Sequence, residues 1–192
     1  MNGKKAVFLD RDGTLNVEVN YLSTAKKLVL CPGAAAAVKV INDLHLPAII
    51  VTNQSGIGRH MFNARMLEEI HLKLKELLKT EGDAKLDAIY YCPHLPRDGC
   101  NCRKPNLGMA ELAKKEFNID LQNSYFIGDR ETDIEFGRRA GGKTVLVLTG
   151  YGKETKKLLT VLPDFIAQDL TEAVNWLKED IEKNAGNKNS RN

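Results

Sequence analysis

Short runs of apolar residues alternate along the chain with stretches in which apolar residues recur at helical spacing. Uniformly apolar, β-rich runs are typical of strands that are covered on both faces of a parallel sheet. The predicted strands lie at residues 6–9, 48–51, 88–91, 125–127 and 145–148, with a short sixth at 165–167. The predicted helices lie at residues 34–44, from the N-cap Asn63 to Gly82, and at 109–117, 132–140 and 170–181. This alternation predicts an α/β fold with a doubly wound, mostly parallel sheet of Rossmann-like architecture.

Polar segments with reactive side chains follow four of the predicted strands. They lie at residues 10–14, 52–56, 92–94 and 128–133. In an open parallel sheet the functional site lies beyond the carboxyl ends of the strands. We therefore expect these four segments to build one reactive edge.

The first segment carries two aspartates, Asp10 and Asp12, at the end of a strand. An extended chain points both side chains to the same side, where two carboxylates repel each other unless a cation or a proton lies between them. Asp before Gly is also common in turns, but Asp129 at another strand end, with Thr52 and Lys104 available, favours a functional site. Such an all-oxygen site suits Mg²⁺, which keeps several waters and often shares a phosphate.

Composition and charge restrict the class of protein. The chain has 192 residues, 43% of them hydrophobic and 28% charged, with a formal net charge of +3. These values predict one globular domain over residues 1–184, and the Asn, Gly, Lys, Ser and Arg residues that follow predict a flexible tail at 185–192. The charge balance argues against a nucleic-acid partner, and no apolar run approaches the ~20 residues that span a membrane. We expect a cytoplasmic monomer whose partner is a small molecule.

A cysteine-rich loop at residues 92–102 offers three thiols and one imidazole, from Cys92, His94, Cys100 and Cys102. Three Cys and one His complete a closed tetrahedral zinc site, which leaves no open position for catalysis. The alternatives are ordinary thiols beside a polar histidine, or a nucleophilic Cys–His pair, which three competing thiols disfavour. Arg103 and Lys104 follow directly, so a structural Zn²⁺ would fix the loop that carries them.

Four segments together resemble the motifs of the haloacid dehalogenase superfamily of phosphotransferases: residues 10–14, 51–53, 103–105 and 128–133. The resemblance implies a phosphoric monoester hydrolase in which Asp10 attacks phosphorus and Asp12 transfers protons. It implies that Mg²⁺ is held by the carboxylates of Asp10 and Asp129 and the carbonyl of Asp12. It further implies that Thr52 and Lys104 stabilise the phosphoryl group.

The zinc loop and the segments around it look like those of the D-glycero-D-manno-heptose-1,7-bisphosphate 7-phosphatases. This narrower resemblance implies removal of the 7-phosphate of a phosphorylated sugar, in nucleotide-activated heptose synthesis for lipopolysaccharide or another surface glycan. The gaps after residue 14 and after residue 82 are too short for a cap domain, so loops must select the substrate. The candidate substrate-binding residues are Glu18, Val19, Asn20, Tyr21, Asn53, Gln54, Ser55, Arg59, Arg103 and Arg130.

Three other functions stay open at this point. A histidinol-phosphate phosphatase is the nearest, because that family is closely related; the several arginines favour a substrate with a second phosphate. A polynucleotide 3′-phosphatase would need a basic groove with stacking aromatic residues, and only 6% of the residues are aromatic. A zinc-stabilised binding module without catalysis would not need the aspartates and Lys104.

Overall fold

The computed structural model describes the backbone of residues 3–189 and the side chains of residues 3–184. One sheet of six parallel strands runs in the order β3-β2-β1-β4-β5-β6. The strands are β1 (Val7–Leu9), β2 (Ala48–Asn53), β3 (Ala88–Cys92), β4 (Tyr125–Gly128), β5 (Lys143–Val147) and β6 (Phe165–Ala167). The helices are α1 (Ala34–Asp43), α2 (Ala64–Gly82), α3 (Gly108–Phe117), α4 (Glu131–Ala140), α5 (Gly152–Leu158) and α6 (Leu170–Asn189). The predicted doubly wound α/β fold is therefore confirmed.

Successive side chains of β1 point to opposite faces of the sheet, so the core consists of two layers. Val7 and Leu9 pack with residues of α1, α2 and α6, whereas Phe8 packs on the other face with residues of α3 and α4. Phe8 stacks on Phe126 of β4 with the ring centroids 4.7 Å apart. Because both faces of the sheet are covered, its strands carry apolar side chains on both sides, as the apolar runs predicted.

The order of the strands reverses beside β1, since β2 lies on one side of it and β4 on the other. The crevice beyond such a switch point is where open α/β sheets bind ligands. The loops after β1 and β4 therefore meet at the position where the sequence placed its clustered aspartates. Within residues 3–189 no separate cap covers this edge, as expected from the short gaps.

One helix was not predicted, and another is longer than predicted. Helix α5 was not predicted, because seven residues with only Gly152 buried show no apolar face. Helix α6 was predicted to end at residue 181 but continues to Asn189, and Asn184 donates to the backbone carbonyl of Asp180 at 2.7 Å. The predicted flexible tail thus overlaps this helix over residues 185–189, while residues 190–192 lie outside the described part. No helix in that part is long and apolar enough to cross a membrane.

Candidate active site

A cavity of about 290 Å³ opens at the carboxyl edge of the sheet, beyond the switch point. Asp10 follows β1 and Asp129 follows β4, and the backbone N–H of Asp10 donates to the carbonyl of Ile127 at 2.9 Å. Both aspartates are buried, at 7% and 0% exposure. Parallel pairing of two strands therefore brings together two carboxylates that lie 119 residues apart in the sequence.

Lys104 joins two of the acidic side chains. Its Nζ lies 2.7 Å from Oδ1 of Asp10 and 2.6 Å from Oδ1 of Asp133, and the lysine side chain is 3% exposed. Burial would lower the pKa of Lys104, but the carboxylates of Asp10 and Asp133 raise it above its usual range. Burial raises the pKa of Asp10 to about 6, although the Lys104 ammonium acts in the opposite direction. The lysine is thus a fixed positive charge beside the Asp10 carboxylate.

Asp129 has one oxygen that is buried and unpaired. Its Oδ2 accepts from the backbone N–H of Tyr151 at 2.7 Å, whereas its Oδ1 has no hydrogen-bond partner among the described residues. Gly13 approaches so closely that a Cβ there would lie 2.3 Å from Asp129 Oδ2, and its φ of +80° also favours glycine. Burial and the Asp10 carboxylate raise the pKa of Asp129 to about 8. A buried, unpaired carboxylate oxygen needs a cation or a proton.

Carboxylate oxygens of Asp10, Asp129 and Asp133 lie within 4.8 Å of one another. Asp133 uses its two oxygens on Lys104 Nζ and on the backbone N–H of Arg130, at 2.6 and 3.0 Å. Asp10 and Asp129 are therefore the better placed ligands, because both oxygens of Asp133 already have partners. The unpaired oxygen of Asp129 and the all-carboxylate donor set fit Mg²⁺.

The side chain of Asp12 faces a different set of partners from those of Asp10 and Asp129. The Arg11 guanidinium donates to both of its oxygens, with Nη2 at 2.7 Å from Oδ2 and Nε at 3.2 Å from Oδ1. Asn16 and Gln54 add side-chain amide donors at 3.0 and 2.8 Å. Burial opposes ionisation of Asp12, but Arg11 and these hydrogen bonds hold its pKa below its usual range. The Asp12 carboxylate is thus outside the acidic cluster, which leaves its backbone carbonyl as the group implied for Mg²⁺.

The end of β2 holds the site together. Asn53 forms two hydrogen bonds with the backbone of Lys104, accepting from its N–H at 3.0 Å and donating to its carbonyl at 3.2 Å. Gln54 Nε2 donates both to Asp12 and to Oγ1 of Thr52, the latter at 2.9 Å. The amides of Asn53 and Gln54, which we expected to contact substrate, therefore bind protein groups. Thr52 accepts from Gln54 and keeps its own O–H hydrogen to donate.

Every candidate substrate-binding residue lines the cavity. These residues are Glu18, Val19, Asn20, Tyr21, Asn53, Gln54, Ser55, Arg59, Arg103 and Arg130. Nη2 of Arg130 lies 3.8 Å from Oε2 of Glu18. The guanidinium of Arg130 also stacks on the ring of Tyr151, with its central carbon 3.9 Å from the ring centroid. Burial and the Asp12 carboxylate raise the pKa of Glu18 to about 7, against the attraction of Arg130.

The two other arginines of the cavity have no carboxylate partner in residues 3–184. Arg59 lies over the ring of Tyr21, 5.8 Å from its centroid, and Arg103 Nη1 donates to the carbonyl of His94 at 3.2 Å. The cavity therefore carries two arginines whose charge no carboxylate among these residues neutralises. Such guanidinium groups suit a second phosphate.

The predicted zinc ligands come together in one cluster. The three thiol sulfurs lie 3.2 to 3.5 Å apart, and Nδ1 of His94 lies 3.2 Å from the sulfur of Cys102. A tetrahedron with zinc–sulfur bonds of 2.3 Å has sulfur–sulfur edges of about 3.8 Å, close to these separations. The four groups therefore fit a closed zinc site, and the chain leads directly from Cys102 to Arg103 and Lys104.

Three residues of the site were not predicted from the sequence: Arg11, Asn16 and His71. Arg11 and Asn16 both bind Asp12, and Nη1 of Arg11 lies 3.3 Å from Nε2 of His71. His71 lies on α2 four residues after Leu67 and three before Leu74, so it shares the buried face of the helix. A polar residue on that apolar face is a signal that sequence analysis can use.

Comparison with known proteins places this site in a family. A family model described as HAD-hydrolase-like matches residues 101–173. A D-glycero-D-manno-heptose-1,7-bisphosphate 7-phosphatase of Thermosynechococcus vestitus is 40% identical over 187 residues, which cover 91% of this chain and 95% of that protein. The chain belongs to the haloacid dehalogenase-like phosphatases. Three of the four motif segments lie at the ends of β1, β2 and β4, the third, residues 103–105, lies in the loop before α3, and the family members named here are phosphoric monoester hydrolases.

Two further matches of this haloacid dehalogenase-like phosphatase are also heptose 1,7-bisphosphate phosphatases. A D-glycero-beta-D-manno-heptose-1,7-bisphosphate 7-phosphatase of Haemophilus ducreyi is 41% identical over 155 residues, covering 77% of this chain and 85% of that protein. The crystal structure of a D,D-heptose 1,7-bisphosphate phosphatase from B. bronchiseptica, complexed with magnesium and phosphate, superimposes with a TM-score of 0.86. It is 31% identical and the match covers 92% of this chain and 99% of that one.

Proposed function

We propose that this phosphatase removes the 7-phosphate of D-glycero-D-manno-heptose 1,7-bisphosphate, in the synthesis of nucleotide-activated heptose. The names of the relatives support the substrate. The single structural observation that carries the proposal is that Asp10 contacts Lys104 and clusters with Asp129, whose Oδ1 has no partner among the described residues, at a cavity with three arginines.

The proposed reaction has two steps. The Asp10 carboxylate attacks the 7-phosphorus, so that a bond forms between Asp10 and phosphorus while the bond from phosphorus to the sugar oxygen breaks. Asp12 must first take up a proton from solvent, although Arg11 and its hydrogen bonds favour the carboxylate, and it then gives that proton to the sugar oxygen. In the second step a water gives its proton to Asp12 and attacks the same phosphorus, which releases inorganic phosphate and restores Asp10.

The chain's own groups have distinct tasks in these steps. Lys104 holds Oδ1 of Asp10 and presents a positive charge to the phosphoryl oxygens, while the free O–H hydrogen of Thr52 donates to one of them. Mg²⁺, held by Asp10, Asp129 and the carbonyl of Asp12, would when bound neutralise charge on the carboxylate and the phosphate. Asp133 keeps Lys104 in place.

Zn²⁺ has a structural role in this proposal. Cys92, His94, Cys100 and Cys102 would hold it in a closed site with no position for substrate. The ion would fix the start of the segment that carries Lys104, and Asn53 fixes the same segment at Lys104 itself through two hydrogen bonds to its backbone.

The substrate proposal is tested by phosphate release with Mg²⁺ from heptose 1,7-bisphosphate as both anomers, histidinol phosphate and a 3′-phosphorylated oligonucleotide. We expect the heptose bisphosphate to have the highest kcat/KM. Arg59→Met should raise KM for the bisphosphate and leave KM for a heptose monophosphate unchanged, because the proposal assigns Arg59, which lines the cavity, to the second phosphate. Arg65→Met is the control, since its side chain is 89% exposed outside the cavity. Faster turnover of histidinol phosphate, or an Arg59→Met variant with unaltered KM, contradicts the proposal.

A further inference from the structure

Arg11 is the largest of the fully buried side chains in the described residues, at 0% exposure. A guanidinium stays charged at every accessible pH, so burying it requires partners for its donors. Buried ion pairs contribute little more net stability than apolar side chains of the same volume. Stability alone therefore does not account for an arginine at this position.

All three guanidinium nitrogens of Arg11 have partners. Nε and Nη2 form a fork on the carboxylate of Asp12, at 3.2 Å and 2.7 Å, while Nη1 faces Nε2 of His71 at 3.3 Å. A two-pronged contact of this kind fixes the plane of a carboxylate as well as its position. Arg11 therefore determines how Asp12 is presented to the cavity.

His71 accepts the third contact. Arginine only donates, so Nε2 of His71 must carry the lone pair, and the ring is neutral with its hydrogen on Nδ1. Burial and the Arg11 guanidinium favour this state, because they lower the pKa of His71 to about 3. His71 is itself 3% exposed and sits between Leu67 and Leu74, which are buried in the packing of α2.

We propose that Arg11 is a positioning residue for the proton transfers of Asp12, and that His71 holds Arg11 in place from helix α2. The inference rests on the proposed function, in which Asp12 protonates the leaving oxygen. The two residues touch no substrate; they fix the direction from which the proton is delivered.

The test compares two leaving groups. A sugar alkoxide needs a proton to depart, whereas the p-nitrophenolate of p-nitrophenyl phosphate departs without one. Loss of a general acid therefore slows the alkyl substrate by about 10²- to 10⁴-fold and the aryl substrate much less. The alkyl probe is heptose 1,7-bisphosphate, or the alkyl phosphate in the panel above that the wild type turns over fastest.

In Arg11→Met, kcat should fall at least about ten-fold more on the alkyl probe than on the aryl probe. This is part of the about 10²- to 10⁴-fold that a positioned general acid contributes to the alkyl reaction. His71→Leu should show the same selective loss to a smaller degree, because it leaves the fork of Arg11 on Asp12. His71→Gln should recover the alkyl rate, since its carbonyl oxygen can accept from Nη1. Arg65→Met, on the exposed side of the same helix, is the matched control.

Equal losses on both probes, or no loss, in folded Arg11→Met and His71→Leu would overturn the inference. If Arg11→Met does not fold, the pair His71→Leu and His71→Gln decides alone. Asp12→Asn distinguishes the positioning role of Arg11 and His71 from the general-acid role of Asp12 itself. A selective loss in Asp12→Asn without one in the other variants refutes only the positioning role. No selective loss in Asp12→Asn refutes the acid role of Asp12, and the inference with it.

Discussion

Replacing Lys104 by methionine removes the only positive charge in contact with Asp10 in the described residues. The lysine is 3% exposed, and its Nζ contacts the carboxylates of Asp10 and Asp133 at 2.7 and 2.6 Å. Breaking a buried ion pair leaves uncompensated charge and typically costs 3–5 kcal/mol of folding free energy. For a chain of this size, 1 kcal/mol shifts Tm by 2–4 °C, so we expect a decrease of about 6 to 20 °C.

The sign of the linkage sets the conditions of the experiment. The pKa of Lys104 is raised on folding, so its contribution to stability is complete below the unfolded value of about 10.4 and is lost only as the pH rises through the folded pKa. Thermal unfolding at pH 7 without added Mg²⁺ therefore measures the whole effect. Lys153→Met, at an exposed position, is the control and should leave Tm unchanged.

A second substitution identifies the cause of the loss. In the double variant Lys104→Met/Asp133→Asn one of the unpaired carboxylates is gone, so part of the lost stability should return. Activity should not return, because loss of one stabilising donor at a developing charge costs about 10²- to 10³-fold in kcat. A folded Lys104→Met variant with wild-type Tm, or with wild-type kcat, would refute the reasoning.

Three further predictions concern other parts of the molecule. Zinc should be found by metal analysis at one ion per chain, and Cys102→Ser should lower kcat with Tm only slightly changed; absence of zinc in the pure protein would show that the loop is not a zinc site. Gly13→Ala should reduce kcat by more than ten-fold, since its Cβ would meet Oδ2 of Asp129 2.3 Å away. Gly141→Ala, with a similar φ of +76° and only the flexible Gln122 side chain nearby, is the control for backbone strain, and equal activities would contradict this. Folding lowers the pKa of His71 from about 6.5 to about 3, so the free energy of unfolding should fall by up to about 1.4 kcal/mol per pH unit below pH 6. Denaturant unfolding of His71→Gln should lack this contribution to the pH slope. Identical slopes in the two proteins would contradict a neutral His71.

Much of the fold was predictable because apolar runs and helical spacing report burial directly. The strand at 165–167 and the N-cap Asn63, whose side chain accepts from the N–H of Met66 at 3.0 Å, were both confirmed. Helix α5 was missed because a short polar helix with one buried residue has no periodicity to detect.

The sequence predicted which residues form the candidate site better than it predicted which groups those residues contact. Strand ends place Asp10 and Asp129 together, but side-chain direction depends on tertiary neighbours that spacing does not report. Asn53 and Gln54 line the cavity, as expected of substrate-binding residues, but their amides also bind Lys104 and Asp12. The contact of Arg11 with His71 joins residues 60 positions apart, and no local pattern predicts it.

The central claim is that Asp10 receives the phosphoryl group. The most direct test stops the enzyme with acid during turnover of heptose 1,7-bisphosphate with Mg²⁺ and locates the phosphorylated residue by mass spectrometry. We predict phosphate on Asp10 and heptose 1-phosphate as the sugar product. Phosphate on another residue, release of the 1-phosphate, or turnover by Asp10→Asn at the wild-type rate would contradict the account.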